Sequence, residues 1–109
     1  MTSESHAYSI AVTRESVLRV SLRGEIDLAA EPAVVDAFTK ALTDDTNVDL
    51  VDVDVSAVEF MDSCGLRALL RCRDLATAHG VEFTLTVVEG PVSRLLETAG
   101  VGEWFRRTR

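Results

Sequence analysis

The sequence predicts an α/β domain: a mixed four- or five-stranded sheet with its helices packed mainly on one face. Three observations predict it. Four runs alternate apolar with polar residues, the mark of strands with one face buried and one face wet. Three other segments carry apolar residues at helical spacing. The two kinds of segment follow one another as β-β-α-β-α-β-α, an order that suits one layered core. A sheet covered on both faces would need continuously apolar strands, and the alternation argues against that.

Composition agrees with a small globular chain. Its 109 residues suit a single domain, taken as residues 1–109 with a mobile N-terminus over 1–6 and a basic tail over 106–109. Apolar residues make up 47% and charged residues 27%, ordinary for a soluble fold. The formal net charge of -7 argues against nucleic acid or an anionic membrane as the main partner. No apolar run approaches the ~18 residues that a membrane span requires. Met1 to His6 has neither a basic start nor an apolar stretch, so no secretory signal is expected and the cytoplasm is the expected compartment.

The elements read as follows. Tyr8, Ile10 and Val12 alternate with Ser9, Ala11 and Thr13; after a polar turn at Arg14-Glu15-Ser16, Leu18, Val20 and Leu22 alternate with Arg19, Ser21 and Arg23. Two such runs with a short connection predict a hairpin. Gly24 permits a bend or bulge at the end of the second strand. Glu25 to Ala30 is a connector, and Pro32 suits the first turn of a helix with Val34, Val35, Phe38, Ala41 and Leu42 on its inner face. Thr43 to Asn47 ends that helix and leads out as an exposed loop. Val48 to Val55 is the third strand, and its alternating Asp52 and Asp54 predict that one side reaches water. Leu66 to His79 is a second helix, with Leu66, Leu69, Cys72 and Ala76 on one arc, Arg67, Arg71 and Asp74 on the other, and Gly80 as the stop. Glu82 to Val88 is the fourth strand, with Phe83, Leu85 and Val87 inward. Pro91 opens a last helix with Val92, Leu95, Leu96 and Ala99 on its face, ended by Gly100. Trp104-Phe105 reads as a short edge strand or a packing lid.

Between the third strand and the second helix lies Asp62-Ser63-Cys64-Gly65, an acidic-hydroxyl-glycine junction. Ser63 has two readings there. It can serve as a helix N-cap, a contribution of ~1 kcal/mol. Alternatively it is a switch, hydroxyl in one state and phosphate in the other, because free N–H groups and the dipole at a helix start favour negative charge. At helical spacing Ser63, Arg67, Leu70 and Asp74 share one stripe, expected to be exposed and to suit a partner. A phosphate would bring ~-2 charge to that stripe and repel a docked protein, with Arg67 and the helix start tolerating it locally.

Other chemistries find little support. His6 falls in the N-terminal tail, and His79 reads as a C-terminal capping or surface histidine. There is no histidine-cysteine cluster at zinc spacing and no glycine-rich phosphate loop, so neither metal nor cofactor is expected. Cys64, near a helix start with Arg67 and Arg71 within two turns, raises a thiol reading with a lowered pKa. A cysteine phosphatase loop would need arginine at position 70, which is Leu70. Cys72 falls in the middle of the apolar arc. The two cysteines would lie ~12 Å apart along one helix, too far for the ~7 Å limit of a disulfide.

Val53 to Leu66, with Asp62-Ser63-Cys64-Gly65-Leu66 at its end, resembles the STAS domain signature of bacterial anti-sigma factor antagonists. Leu22-Arg23-Gly24-Glu25-Ile26-Asp27 is similar to the family's strand-end motif, and Pro91 to Gly100 to its last helix and glycine stop. The resemblance runs from about Tyr8 to Phe105. It implies a non-enzymatic regulator whose unphosphorylated form binds an anti-sigma factor that is also an ATP-dependent serine kinase, freeing the sigma factor. It implies phosphorylation at Ser63, release of the partner, and reset by a metal-dependent serine phosphatase. Asp62 would help place the hydroxyl, and Glu25 and Asp27 match an acidic loop in contact with the partner. The residues expected at the docking surface are thus Glu25, Asp27, Asp62, Ser63, Cys64, Arg67 and Leu70. Position 64 departs from the usual serine or threonine, and Asp52 stands where an apolar residue is more usual. A STAS scaffold subunit that is never phosphorylated, and a thiol-based regulator using Cys64, are the alternatives.

Overall fold

The computed structural model describes residues 8–14, 17–44, 48–102 and 105–108. Its elements are β1 (Tyr8–Arg14), β2 (Leu18–Ile26), α1 (Glu31–Asp44), β3 (Leu50–Met61), α2 (Ser63–Ala78), β4 (Glu82–Thr86), α3 (Pro91–Ala99) and β5 (Arg106–Thr108). They form a five-stranded sheet in the order β1-β2-β3-β4-β5. β1 and β2 are the antiparallel hairpin, and β2, β3, β4 and β5 run parallel. The alternation explains the layering. Leu18 and Val20 of β2 stand beside Val51 and Val53 of β3, which stand beside Phe83 and Leu85 of β4, and all six are buried. α1 and α2 cover that face. Phe38 of α1 brings its ring within 6.0 Å of the Phe83 ring, and Leu69, Cys72 and Ala76 of α2 are buried without exposure.

The opposite face is polar, but it does not reach water where Asp52 was expected to. Asp52 is 2% exposed. Its neighbours across the sheet account for this. Thr84 and Thr86 each donate a hydroxyl hydrogen bond to it, at 2.7 Å, and Arg19 Nε lies 3.3 Å from Oδ2. A carboxylate in mid-sheet is tolerated when its lone pairs are filled and a cation stands beside it. Alternation in one strand records only the side a residue takes, and the cover comes from strands distant in sequence.

Four further expectations are corrected. The third strand does not stop at Val55 but runs to Met61. Its pairing with β2 shifts twice: β3 advances from Asp54 to Ala57 while β2 advances from Ser21 to Arg23, and from Val58 to Phe60 while β2 advances from Gly24 to Glu25. Each shift places an extra residue in β3, which breaks the alternation and hides the strand from a period-two reading. Glu25 and Ile26 belong to β2 rather than to a connector. On α3 the buried residues are Val92, Ser93 and Leu96, while Ala99 is exposed. Residues 106–108 of the expected basic tail form β5 on the edge of β4. Phe105 is buried with its ring 5.9 Å from that of Phe83, as a packing lid would be; residues 1–7, 15–16, 45–47, 103–104 and 109, including Trp104, lie outside the described residues.

Candidate functional site

The parallel strands β2 and β3 end side by side, Glu25 opposite Phe60 and Ile26 opposite Met61. From these two ends the chain enters α1 and α2, so the starts of both helices gather at the carboxyl edge of the sheet. This edge is where open α/β sheets place their sites.

One residue sets how closely α2 approaches. A Cβ added at Gly65 would run into the carbonyl oxygen of Ile26 and come within 2.6 Å of Met61 Cγ. Glycine therefore lets the first turn of α2 lie directly on the end of β2. It also fixes Ser63, two residues earlier, above the junction of the two strands.

Asp62, not Ser63, is the N-cap. Its backbone is extended, and its Oδ1 accepts hydrogen bonds from the amides of Cys64 at 2.9 Å and Gly65 at 3.1 Å. Asp62 competes better for this place because it stands one position earlier with a charged acceptor. The consequence for Ser63 is direct. It is the first residue of the helix, exposed, and its hydroxyl makes no hydrogen bond with a described residue. The amides expected to welcome a phosphate are already held by Asp62.

Arg67, one turn further, is not free either. Its Nε donates to Glu31 Oε2 at 3.0 Å and its Nη2 to Glu31 Oε1 at 3.2 Å, a two-pronged pair between α2 and α1. The same Nη2 is 3.5 Å from Cys64 Sγ, and Arg71 reaches Glu31 Oε2 at 3.7 Å. Glu31 is only 6% exposed, and Arg67 hydrogen bonding holds its carboxyl below the ordinary 4.5. With its folded pKa depressed, Glu31 adds stability that is present above 4.5 and is lost as pH falls through the folded value. Glu31→Gln is therefore expected to flatten the loss of stability below about pH 4.5 in urea titrations across pH. An unchanged acid limb would remove Glu31 from this role.

Of the residues singled out in the sequence, Glu25, Asp62, Ser63, Cys64 and Arg67 stand at this end of the fold. Asp27 does too, but it is half-buried, and its Oδ1 accepts from the Ala29 amide at 3.1 Å while its carbonyl accepts from Ala30 and Glu31. Asp27 thus shapes the entry to α1. Leu70 does not belong on the exposed stripe: it is half-buried and packs against the core. Cys72 is buried, and burial pushes its thiol up to about 12, so it stays a thiol. His79 caps α2 and places Nδ1 2.9 Å from the Leu75 carbonyl. Sequence reasoning missed Glu31, Leu28 and Phe60. Glu31 looks like an ordinary first-turn acid, and its partner is 36 residues away. Phe60 looks like core, yet it pairs with exposed Glu25 at the end of β3 and is itself 50% exposed; Leu28 is 65% exposed in the entry to α1.

Among the described residues there is no group of three metal-ligating side chains, and no helix is long and apolar enough to cross a membrane.

Comparison with known proteins points one way. The STAS domain family model matches residues 8–109. The anti-sigma-F factor antagonist RsfA of Mycobacterium tuberculosis is 28% identical over 89 residues, covering 82% of this chain and 70% of its own. A crystal structure of an anti-sigma factor antagonist from Mycobacterium paratuberculosis superposes with a TM-score of 0.75 at 27% identity, covering 92% of this chain and 84% of the other. The anti-sigma factor antagonist SpoIIAA in its unphosphorylated form shares the fold, with a TM-score of 0.73 at 19% identity over 94% and 89% of the two chains.

Proposed function

The chain belongs to the STAS domain family, and on that premise we propose that it is an anti-sigma factor antagonist switched by phosphorylation of Ser63. In its unphosphorylated form it docks the Ser63 face on an anti-sigma factor that is also a serine kinase, and the sigma factor is freed. The observation that carries the reading is the exposed Ser63 hydroxyl, left without a structural task because Asp62 caps the helix. Exposed Phe60 and Leu28 at the same end supply apolar contact, and Glu25 and Asp62 supply charge. Apolar anchors within a polar rim are what a protein-protein docking surface requires. The names of the similar proteins support the same partner class.

In the phosphoryl step the Ser63 hydroxyl attacks the γ-phosphorus of ATP. The bond to the bridging oxygen of ADP breaks, ADP leaves, and the hydroxyl proton passes to a base of the kinase. The gain of about -2 charge ends the docking. A serine phosphatase removes the phosphate by hydrolysis and restores the binding form. The chain itself catalyses nothing in this cycle, which runs in the cytoplasm.

The test is to bind a candidate anti-sigma factor kinase to the unmodified protein and add ATP. The complex is expected to fall apart as the chain gains about 80 Da at Ser63. A complex that survives ATP with no mass gain would replace this reading with that of an unphosphorylated scaffold.

A further inference from the structure

We propose that Arg67 is the internal receptor of the charge gained at Ser63: its guanidinium passes from the Glu31 carboxylate to the phosphate, and Arg71 is left holding Glu31. This rests on Ser63 as the phosphorylated residue.

The first ground is that the helix start has little to offer a phosphate. A phosphate at such a position ordinarily takes free backbone N–H groups. Here the Cys64 and Gly65 amides donate to Asp62 Oδ1, and the Leu66 amide donates to the Asp62 carbonyl. The Asp62 carboxylate, the adjacent residue, repels the newcomer. Compensation must come from a cation.

Arg67 is that cation by position. Residues four apart on a helix are neighbours, so Arg67 stands one turn from Ser63 on the same side. Its Nη2, 3.5 Å from Cys64 Sγ, already lies over the first turn. Its side chain is 59% exposed, so no packing blocks a rotation. A phosphoserine carries about -1.5 to -2 at neutral pH against -1 for Glu31, and arginine binds both with the same two-pronged geometry.

Glu31 makes the exchange tolerable because it has a second cation waiting. A nearly buried carboxylate left alone would be strongly destabilising. Arg71 is 3.7 Å from the same Oε2 that Arg67 Nε holds, too far for a good hydrogen bond and near enough to close one. Glu25, Asp27, Glu59 and Asp62, at the ends of β2 and β3 and the entries to α1 and α2, are acidic and oppose the phosphate.

The experiment dispenses with any kinase. Phosphoserine is installed at position 63 during translation, and the second ionisation of its phosphate is followed by phosphorus NMR. Arg67→Gln is expected to raise that pKa by about half a pH unit or more, and Glu31→Gln, which removes the rival acceptor, to lower it. In the otherwise unaltered chain the Arg67 Nε–H resonance is expected to move between the serine and phosphoserine forms, which decides the matter even if Arg67→Gln does not fold. A phosphate indifferent to both substitutions, or an unmoved Nε–H resonance, overturns the exchange. Failure of kinase and ATP to modify Ser63 would sink the proposed function and leave this titration readable.

Discussion

Gly65→Ala is expected to destabilise the fold by about 1–2 kcal/mol and to lower Tm by about 4–15 °C. Helix propensity alone predicts the opposite. Gly65 lies inside α2, where alanine is favoured by about 1 kcal/mol. Space decides. The added methyl would overlap the Ile26 carbonyl and crowd Met61 Cγ at 2.6 Å. Met61 can give way, but the end of β2 cannot, because it is paired with β3 through Ile26 and Met61. Overpacking against backbone costs about 1–3 kcal/mol and occasionally more, so it outweighs the propensity gain. The helix start must lift, and Ser63 lifts with it, so partner affinity falls along with stability. A melting temperature equal to or above that of the unaltered chain would show that α2 does not rest on β2 in this way.

What the sequence could reveal here depended on the range of each interaction. The helices were legible because their cause is local. Val34, Val35, Phe38, Ala41 and Leu42 repeat at helical spacing and are all buried on α1. Leu66, Leu69, Cys72 and Ala76 do the same on α2. The hairpin was legible for the same reason, since β1 and β2 are adjacent in sequence and pair without a shift. The exposure of Ser63 was legible, but its cause was not: the cap fell to Asp62, one residue earlier. The second half of β3 was illegible because two extra residues break its period. Asp52 and Glu31 read as surface acids because nothing nearby in sequence announces Thr84, Thr86 and Arg19, or Arg67 and Arg71. Residues 106–108 read as a tail because three residues are too few to show alternation. The misses at Asp52 and Glu31 are contacts made across the sheet and between helices.

Ser63→Asp is expected to weaken binding to the anti-sigma factor by about 100-fold or more, while Ser63→Ala stays within about threefold. The difference comes from what docking would cover. The Ser63 hydroxyl makes no hydrogen bond with a described residue, so its removal breaks nothing within the chain. A carboxylate in its place must be stripped of water under a partner that approaches across Phe60 and Leu28. An uncompensated charge in an interface costs about 2–5 kcal/mol. Arg67 softens that cost only by leaving Glu31, which has its own claim on it. Stability should move the other way. A negative charge at the first position of α2 gains about 0.3–1 kcal/mol from the helix dipole, less whatever Asp62 takes back by repulsion. Binding by calorimetry and melting by circular dichroism therefore separate the two effects on one pair of proteins. Tight binding by the Ser63→Asp protein would mean that the partner docks elsewhere. Weak binding together with a lowered Tm would mean that the substitution acts through the fold, and the charge at Ser63 would lose its place as the signal.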